Sequence, residues 1–421
     1  MRISKNKFPF PQIIVWLTLT STAPFIFYTW PGHPYKILTF GCLFVMLFML
    51  LISKKRIIID EHILFVIIIQ GLYLLFVILL YNNNYSNFNL FMQLLSLFLI
   101  ITFIDSYIGF ENFVRSYINV MLIMGIGGAI IFFIHAFIGL SPIFEVQYSE
   151  GGITYFFGLT STNYYYYIND IRFLRVAGFF DEPGAFALFS LFAILLNKIY
   201  FDNRKVEKYL IIFTLFTFSM AFYIIMIGYY FLFYFNRSNL KYLVLLSFCI
   251  GAASSYLSNY EGNNRTIDYL YKATVQRLEN DEMGMNAVDK RIARGAGDKK
   301  IFLDYPFWGV QNTNEVRGAN IYSVIANHGL FGSLFYYAFL VYFLFSLFKL
   351  KGSTRVLFLK SFIVILANFF HRPEFFSVFT LLIIYSMIRY MNLYSKKIRV
   401  TNSYQRRSVK DLHVINPGLI A

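Results

Sequence analysis

The chain has 421 residues, 58% of them hydrophobic and 21% aromatic, with only 14% charged and a formal net charge of +15. This composition lies outside the range of soluble domains of this size, so it excludes a soluble enzyme or binding module. The basic residues gather in short patches beside apolar runs, which is the positive-inside pattern and excludes nucleic acid as a partner. We therefore predict an all-α polytopic membrane protein.

The first five apolar runs are each long enough to cross about 30 Å of hydrocarbon. Basic residues within 2–7 and the patch Lys54–Arg56 mark the cytoplasmic side, so the N-terminus is predicted to be cytoplasmic. The fifth span ends at a first outer loop, 141–182, and a sixth, near 183–200, returns the chain to the cytoplasm. The first five spans lie near residues 12–29, 35–52, 60–81, 87–107 and 113–140.

The run 208–235 is too long for one upright span and too short for two. Basic residues precede it at Arg204–Lys208 and follow it at Arg237 and Lys241, so both of its ends are predicted on the cytoplasmic side. We expect either two crossings or a re-entrant pair of short helices that breaks near Thr217–Ser219.

The second half of the chain follows the same charge rule. A span near 240–257 leads to a large outer loop, 258–319, whose nine basic and nine acidic residues allow translocation. Apolar periodicity from Arg265 to Leu278 predicts an amphipathic helix in this loop. Spans near 320–348, 355–370 and 375–392 and a basic cytoplasmic tail, 396–421, complete about twelve transmembrane helices. The chain therefore divides into N-terminal, central and C-terminal groups of helices over 1–140, 183–257 and 320–395.

The stretch 175–184, RVAGFFDEPG, places an arginine and two acids at the mouth of a span. Pro183 suits the first turn of a helix, and Asp181 and Glu182 suit its N-terminal dipole. Arg175, at the membrane boundary, requires an anionic partner. Two interpretations remain open, a structural ion pair with its own acids or a guanidinium grip on an anionic ligand such as a lipid-linked diphosphate.

Three further outer positions have both a structural and a functional interpretation. Arg291 and Arg294 would share a face of a helix and form either a solvated charge run or a phosphate clamp. His328, on a mainly apolar helix, is either a packing residue or a catalytic base. The turn 371–374 is either a polar hairpin or brings a further cation, Arg372, to the outer face.

Several signatures of enzyme classes are absent from the sequence. It has no P-loop motif, no cluster of His, Cys and Asp at metal-ligand spacing, no G-x-S-x-G elbow and no acidic DxD pair in the outer loops. ATP hydrolysis, a metal-held sugar nucleotide and serine chemistry are therefore unsupported. The sequence predicts neither a metal nor a cofactor.

Three segments carry a resemblance to a known family. They are R-x-x-G-x-F-x-E-P-G at 175–184, Arg291 ahead of the P-F-W-G turn at 306–309, and NIYSVIANHGLFG at 320–332. Their order along the chain resembles the bacterial O-antigen polymerase (Wzy) and O-antigen ligase superfamily of integral membrane glycosyltransferases. Ligases of this family usually carry a histidine directly before the asparagine of the third segment, where this chain has Ala319. The resemblance therefore favours a polymerase.

The resemblance implies a C-type membrane glycosyltransferase bundle with a large helical periplasmic loop. Such a protein lies in the bacterial inner membrane, here with both termini cytoplasmic, and serves lipopolysaccharide biosynthesis. It joins undecaprenyl-diphosphate-linked oligosaccharide repeats without metal or nucleotide. In this family outer-face arginines hold the donor diphosphate, and the matching positions here are Arg175 and Arg291. Position alone adds three more candidates for diphosphate or substrate binding, Arg265, Arg317 and Arg372, and Arg172 is a further candidate in the same stretch as Arg175.

The chemistry of glycosyl transfer assigns roles to these residues. Negative charge accumulates on the diphosphate as the sugar C1–O bond breaks, and Arg175 and Arg291 would neutralise it. The attacking sugar hydroxyl needs a proton acceptor. Glu182 is the predicted base, and His328 is the alternative.

Two other functions remain open at this point. A ligase would transfer finished polymer once, and a flippase or transporter would move the same lipid-linked sugar across the bilayer without forming a bond. Transporters often show internal repeats, and none is visible here. The resemblance also implies a chain-length regulator and a flippase of the same pathway as partners, and the basic tail is expected to contact anionic lipid.

Overall fold

The computed structural model describes residues 10–22, 24–29, 34–52, 57–80, 85–147, 153–163, 165–168, 171–236, 287–310, 320, 322–371 and 377–395, with six positions between 248 and 259. The described part is mostly helical, and seven of its helices are long and apolar enough to cross a membrane. The predicted class of helical polytopic membrane protein is therefore confirmed. The predicted total of about twelve spans is not, because the described part contains these seven and two shorter apolar helices.

The helices follow the predicted order of spans. In chain order they are α1 (Phe10–Thr20), α2 (Pro34–Ile52), α3 (Glu61–Leu80), α4 (Tyr85–Phe103), α5 (Phe110–Phe137), α6 (Pro183–Tyr200), α7 (Arg204–Leu215), α8 (Met220–Tyr234), α9 (Ala287–Asp304), α10 (Ser323–Phe348), α11 (Gly352–His371) and α12 (378–395). A π-helical turn, Ile104–Ile108, extends α4. The span predicted near 240–257 falls mostly outside the described residues, and the amphipathic helix predicted over 265–278 falls entirely outside them.

The first helix is shorter than the span predicted over 12–29. It has 11 residues, and the hydroxyl groups of Ser21 and Thr22 donate to carbonyl oxygens of its last turn at 2.7 to 3.0 Å. These bonds satisfy acceptors that a helix end leaves open. The chain then turns away, and Phe25 forms an isolated antiparallel bridge with Phe180 ahead of α6.

Helices α6 and α12 form the centre of the bundle. Both are buried over most of their length, as expected for helices that are apolar on all sides. The rings of Phe189 and Phe379 stack between them with centroids 4.8 Å apart. Tyr117 of α5 is fully buried and donates to the Phe189 carbonyl at 2.6 Å.

Helices α7 and α8 form a short helical hairpin, which agrees with one of the two predicted alternatives, a pair of short helices that breaks near Thr217–Ser219. Residues 216–219 break the helix between them. At about 1.5 Å per residue, the 12 residues of α7 and the 15 of α8 both fall short of about 30 Å of hydrocarbon. The hydroxyls of Tyr229 and Tyr234 donate to the buried Glu207 carboxylate at 2.8 and 2.7 Å, which ties the end of α8 to the start of α7. Both ends of the hairpin therefore lie on the same side of the bundle.

The first outer loop contains short strands, which the all-α prediction missed. They are β1 (Phe144–Gln147), β2 (Ile153–Phe156), β3 (Ser161–Thr162), β4 (Tyr165–Ile168) and β5 (Ile171–Leu174). One antiparallel sheet has the order β1-β2-β3, and β4 pairs with β5 in a second. The strands are rich in aromatic and β-branched residues, which favour strands. Local strand propensity therefore decides the structure of this loop, although the rest of the described chain is mostly helical.

The two ends of the bundle are joined differently. At one, which we call the charged end, Arg389 pairs with Asp105 at 3.0 Å, and Asp60 accepts from the Tyr385 hydroxyl at 2.9 Å. The opposite end, which we call the loop end, holds 153–182 and 305–310. The sequence predicted loops 141–182 and 258–319 and the turn 371–374 on one side; only parts of them lie within the described residues, and this arrangement stays a prediction. That the loop end is periplasmic stays a prediction.

Candidate functional site

The segment 175–182 is tied by its backbone to the turn after α1. The N–H of Ile26 donates to the Phe179 carbonyl at 2.9 Å, and the N–H of Asp181 donates to the Pro24 carbonyl at 3.0 Å. The N-terminal part of the chain therefore helps to set the shape of the segment that carries the first part of the resemblance.

A second set of bonds holds the same segment from the side of the outer loop. Thr160 Oγ1 accepts from the N–H groups of Ala177 and Gly178 at 3.2 and 3.0 Å, and the Ser161 hydroxyl donates to the carbonyls of Gly178 and Phe180. Gly178 has φ 58°, a conformation that favours glycine. The glycine of the R-x-x-G pattern is therefore required by the backbone.

Two glycines of α5 allow the bundle to approach this segment closely. A Cβ added at Gly128 would lie 2.2 Å from Val176 Cγ1, and one at Gly125 would lie 2.8 Å from Phe213 Cβ in α7. Larger residues would push α5 away from both neighbours. The segment 175–182 thus sits against α5, next to the α7–α8 hairpin.

Arg175 binds the tip of that hairpin. Its side chain is buried, with Nε donating to the Thr217 carbonyl at 2.9 Å and Nη2 to the Phe218 carbonyl at 3.1 Å. The N–H of Val176 adds a bond to the Phe216 carbonyl at 3.0 Å. A broken helix leaves such carbonyls without helical partners, and the guanidinium supplies donors for them. Neither sequence interpretation of Arg175 included this role, since its partners lie some forty positions further along the chain.

Glu182 lies where the sequence predicted a helix start. It is the N-cap residue of α6 and Pro183 is the first helical residue, but the Glu182 side chain makes no cap hydrogen bond. Instead its Oε2 accepts from Asn163 Nδ2 at 3.3 Å, and the side chain is half-buried. Asp181 takes part through its carbonyl, which accepts from Thr154 Oγ1 at 3.1 Å. The Glu182 carboxylate is therefore placed at the loop end without being used to close the helix.

The second and third segments of the resemblance meet at a break in α10. Gly329 has φ 66° and ψ −175°, which interrupts the helix. The N–H groups of Leu330 and Phe331, which follow the break, donate to the carbonyls of Pro306 and Phe307 at 2.9 and 3.2 Å. The P-F-W-G turn therefore supplies acceptors to the second half of the helix.

Two glycines make this junction possible. A Cβ at Gly309 would lie 2.3 Å from the Asn327 carbonyl oxygen, and one at Gly329 would lie 2.2 Å from the Phe307 carbonyl oxygen. Both glycines have positive φ, at 70° and 66°. The backbone of the turn contacts the backbone of the helix break directly, so neither Gly309 nor Gly329 has room for a side chain.

His328 lies inside the break. Its side chain is buried, and its Nε2 lies 3.1 Å from Asn327 Nδ2. Gln70 of α3 reaches the same turn and donates to the Gly332 carbonyl at 2.9 Å, while the rings of Tyr73 and Trp308 stack at 5.8 Å. His328 is thus buried beside Asn327 at the break in α10, near the contact of α3 with Gly332, and its roles as base or packing residue both stay predictions.

For the remaining predicted cations the structure describes at most the backbone. Arg291 and Arg294 lie in α9, so the helix on which their shared face depended is present. Arg172 lies in β5, where the backbone alone is described. Arg265, Arg317 and Arg372 lie outside the described residues.

Sequence reasoning also missed Asp298, which follows Arg294 on α9. Its side chain is fully buried and accepts from Asn320 Nδ2 at 2.6 Å. The sequence shows only that positions 291, 294 and 298 would fall on one face of a helix. Without the structure nothing distinguished this aspartate from the other acids of the loop.

Among the described residues, no group of three or more His, Cys, Asp or Glu side chains is arranged to hold a metal ion. Searches against protein-family models and curated proteins found no match to this chain. Functional assignment therefore depends on the geometry of the loop end and on the sequence segments found there.

Proposed function

We propose that this chain is a surface-polysaccharide polymerase of the O-antigen type in a bacterial inner membrane. It joins undecaprenyl-diphosphate-linked oligosaccharide repeats by glycosyl transfer on the periplasmic face and releases undecaprenyl diphosphate. The reaction uses no metal and no nucleotide. A chain-length regulator and a flippase are its proposed partners.

One observation carries this proposal. The first of the three segments that resemble the family, 175–184, lies more than a hundred residues before the other two, yet it also lies at the loop end. The second and third segments, which are close in sequence, pack directly through Gly309 and Gly329. A shared site requires all three segments at one end of the bundle, and this arrangement supports the proposal.

The charges at the loop end suit a diphosphate leaving group. Arg175 donates hydrogen bonds to two carbonyl oxygens of the hairpin tip, which hold its guanidinium in place at the loop end. Arg291 and Arg294 lie on α9, the helix that leads to the P-F-W-G turn, and add two positive charges to this part of the chain. Fixed positive charge in a site shielded from water stabilises the developing negative charge of the transition state. Glu182 is the proposed base and His328 the alternative.

The test is reconstitution of the purified chain with a lipid-linked repeat unit from its source, followed by gel analysis of the products. We expect a ladder of lipid-linked multimers without ATP or added metal. The ladder should be lost in the double variant R291A/R294A. The matched control K299A/K300A removes the same charge from exposed positions of the same helix and should keep the ladder.

Arg175 needs a different control, because Arg175→Ala also frees the hairpin tip. Arg175→Lys keeps the charge but not the paired geometry of the guanidinium. If Arg175→Lys keeps partial activity and Arg175→Ala has none, Arg175 contributes through its charge. If both variants lose activity equally, Arg175 contributes through the geometry of the hairpin.

A transporter is the second candidate, and one observation favours it. Discontinuous helices at ligand sites are typical of secondary transporters, and α10 is broken at Gly329. In the same vesicles, movement of an unchanged repeat across the bilayer without any ladder would establish transport and reject the polymerase. A single transfer to an acceptor lipid would instead indicate a ligase.

A further inference from the structure

A buried carboxylate connects α9 to the start of α10. Asp298 has no exposed surface, and Asn320 Nδ2 donates to its Oδ2 at 2.6 Å. Burying a carboxylate is costly unless hydrogen bonds replace its water. Because burying the Asp298 carboxylate costs desolvation free energy, its contact with Asn320 needs an explanation beyond packing.

Asn320 is itself held rigidly. Its Oδ1 accepts from the N–H of Tyr322 at 2.9 Å, and its carbonyl accepts from the Ser323 hydroxyl at 2.7 Å. The same amide side chain thus shapes the turn before α10 and donates to Asp298. Gly295 of α9 lies against the same residue, since a Cβ built there would be in van der Waals contact with Asn320 Cβ at 3.8 Å.

Helix α9 is attached to α10 at a second point as well. Directly after α9, the P-F-W-G turn bonds to the break in α10 through Leu330 and Phe331. Two attachments fix both the position and the rotation of a helix, whereas one would leave it free to turn. Asp298 therefore determines which face of α9 is directed at the bundle, and that face includes positions 291 and 294.

We infer that Asp298 is a positioning residue that, through Asn320, orients α9 so that Arg291 and Arg294 bind the diphosphate of the lipid-linked substrate. This inference rests on the proposed function for the identity of the substrate. Asp298 itself does not touch the ligand, since its carboxylate is closed off from solvent.

The test exchanges the two partners. In Asn320→Asp two carboxylates face each other and repel, which should release α9. In Asp298→Asn two amides keep a weaker neutral bond. In the double variant D298N/N320D, the carboxylate now at position 320 accepts both from the amide at position 298 and from the N–H of Tyr322, so the geometry is restored with the partners reversed.

Two measurements at about pH 8 follow each variant. Hydrogen exchange of the amides in 287–304 reports whether α9 is docked, and exchange in α6 is the control for the overall fold. Binding of undecaprenyl diphosphate, measured without turnover, reports the grip on the ligand. We expect Asn320→Asp to raise exchange in α9 and weaken binding about tenfold, Asp298→Asn to do so less, and the double variant to recover both.

Recovery of exchange and binding together supports the inference. Unchanged exchange in Asn320→Asp, or recovered docking without recovered binding, would overturn it. The ladder assay on the unaltered chain is separate. Loss of ligand binding and its recovery by the partner exchange, in a chain that forms no ladder, would reject the polymerase while keeping the role of Asp298.

Discussion

The charged end and the loop end of the bundle are held together by different chemistry. At the charged end ionised side chains from distant helices neutralise one another, as Asp105 and Arg389 do, and Asp60 accepts from tyrosine hydroxyls. At the loop end the junctions described above rest mainly on backbone N–H and carbonyl groups and on glycines. Even Arg175 is bound there by carbonyls. These loop-end junctions therefore depend on the course of the backbone, whereas those of the charged end depend on both partners of a charged contact.

The loop-end junction should fail most completely when a glycine is filled. Gly329→Ala forces a positive φ on alanine and places its Cβ 2.2 Å from the Phe307 carbonyl oxygen. We expect a loss of about 4 kcal/mol or more in stability, seen as a large fall in the melting temperature of the purified protein. The control Gly228→Ala lies in α8 with nothing within 4 Å of the new Cβ and should be neutral or stabilising. Equal melting of the two variants would contradict the backbone contact.

The charged end should respond to loss of one ion. Arg389→Ala leaves Asp105 buried without its cation, and we expect a loss of about 3 kcal/mol, measured by the same melting experiment. Arg115→Ala is the control, since its pair with Glu111 is exposed and i,i+4 on one helix. That pair should be worth at most about 0.5 kcal/mol. If Arg389→Ala and Arg115→Ala lower stability equally, the ion pair between Arg389 and Asp105 does not stabilise the fold.

Arg175→Ala should cost less, about 2 kcal/mol, because it removes two hydrogen bonds to neutral acceptors. The effect should be local, with faster hydrogen exchange in 216–220 at the tip of the hairpin and little change at its base around Glu207. Arg175→Lys should retain part of this protection. Uniform exchange along the hairpin would argue against a specific bond between Arg175 and the tip.

The smallest effects are expected at two helix starts, one at each end. Asn203 caps α7 by accepting from the N–H groups of Lys205 and Val206, so Asn203→Ala should cost about 1 kcal/mol. Glu182 caps α6 without a side-chain bond, so Glu182→Gln should change stability by less than about 0.5 kcal/mol. If Glu182 is the base, the same substitution should abolish turnover in the ladder assay. If a stable Glu182→Gln protein keeps full activity, Glu182 is not the base and His328 becomes the candidate.

Some details of the fold were predictable because they depend on local sequence. The break near Thr217–Ser219 followed from span length and charge alone, and residues 216–219 are where the helix breaks. Pro183 at the first turn of α6 followed from its missing N–H. The strands were missed because aromatic residues, which favour strands here, also serve as membrane residues elsewhere in the chain.

The candidate site was predictable only as a set of segments. Arg175, Glu182 and His328 were identified as polar residues at membrane boundaries, but their partners were not. Residues far along the chain supply the carbonyls that Arg175 binds, and Asn163 supplies the donor to Glu182. Asp298 was not identified at all, since an acid in a charged loop looks exposed until its burial is known.

The sequence alone determined that this chain is a polytopic helical membrane protein, because the apolar content of each run and the charges beside it decide what enters a bilayer. It also determined which segments are polar, while the side on which they emerge stays a prediction. Only the tertiary structure decided that Gly309 meets Gly329, that Arg175 closes the hairpin and that Asp298 is buried against Asn320. These contacts join residues distant in sequence, and such contacts depend on how the helices pack and not on the composition of any one of them.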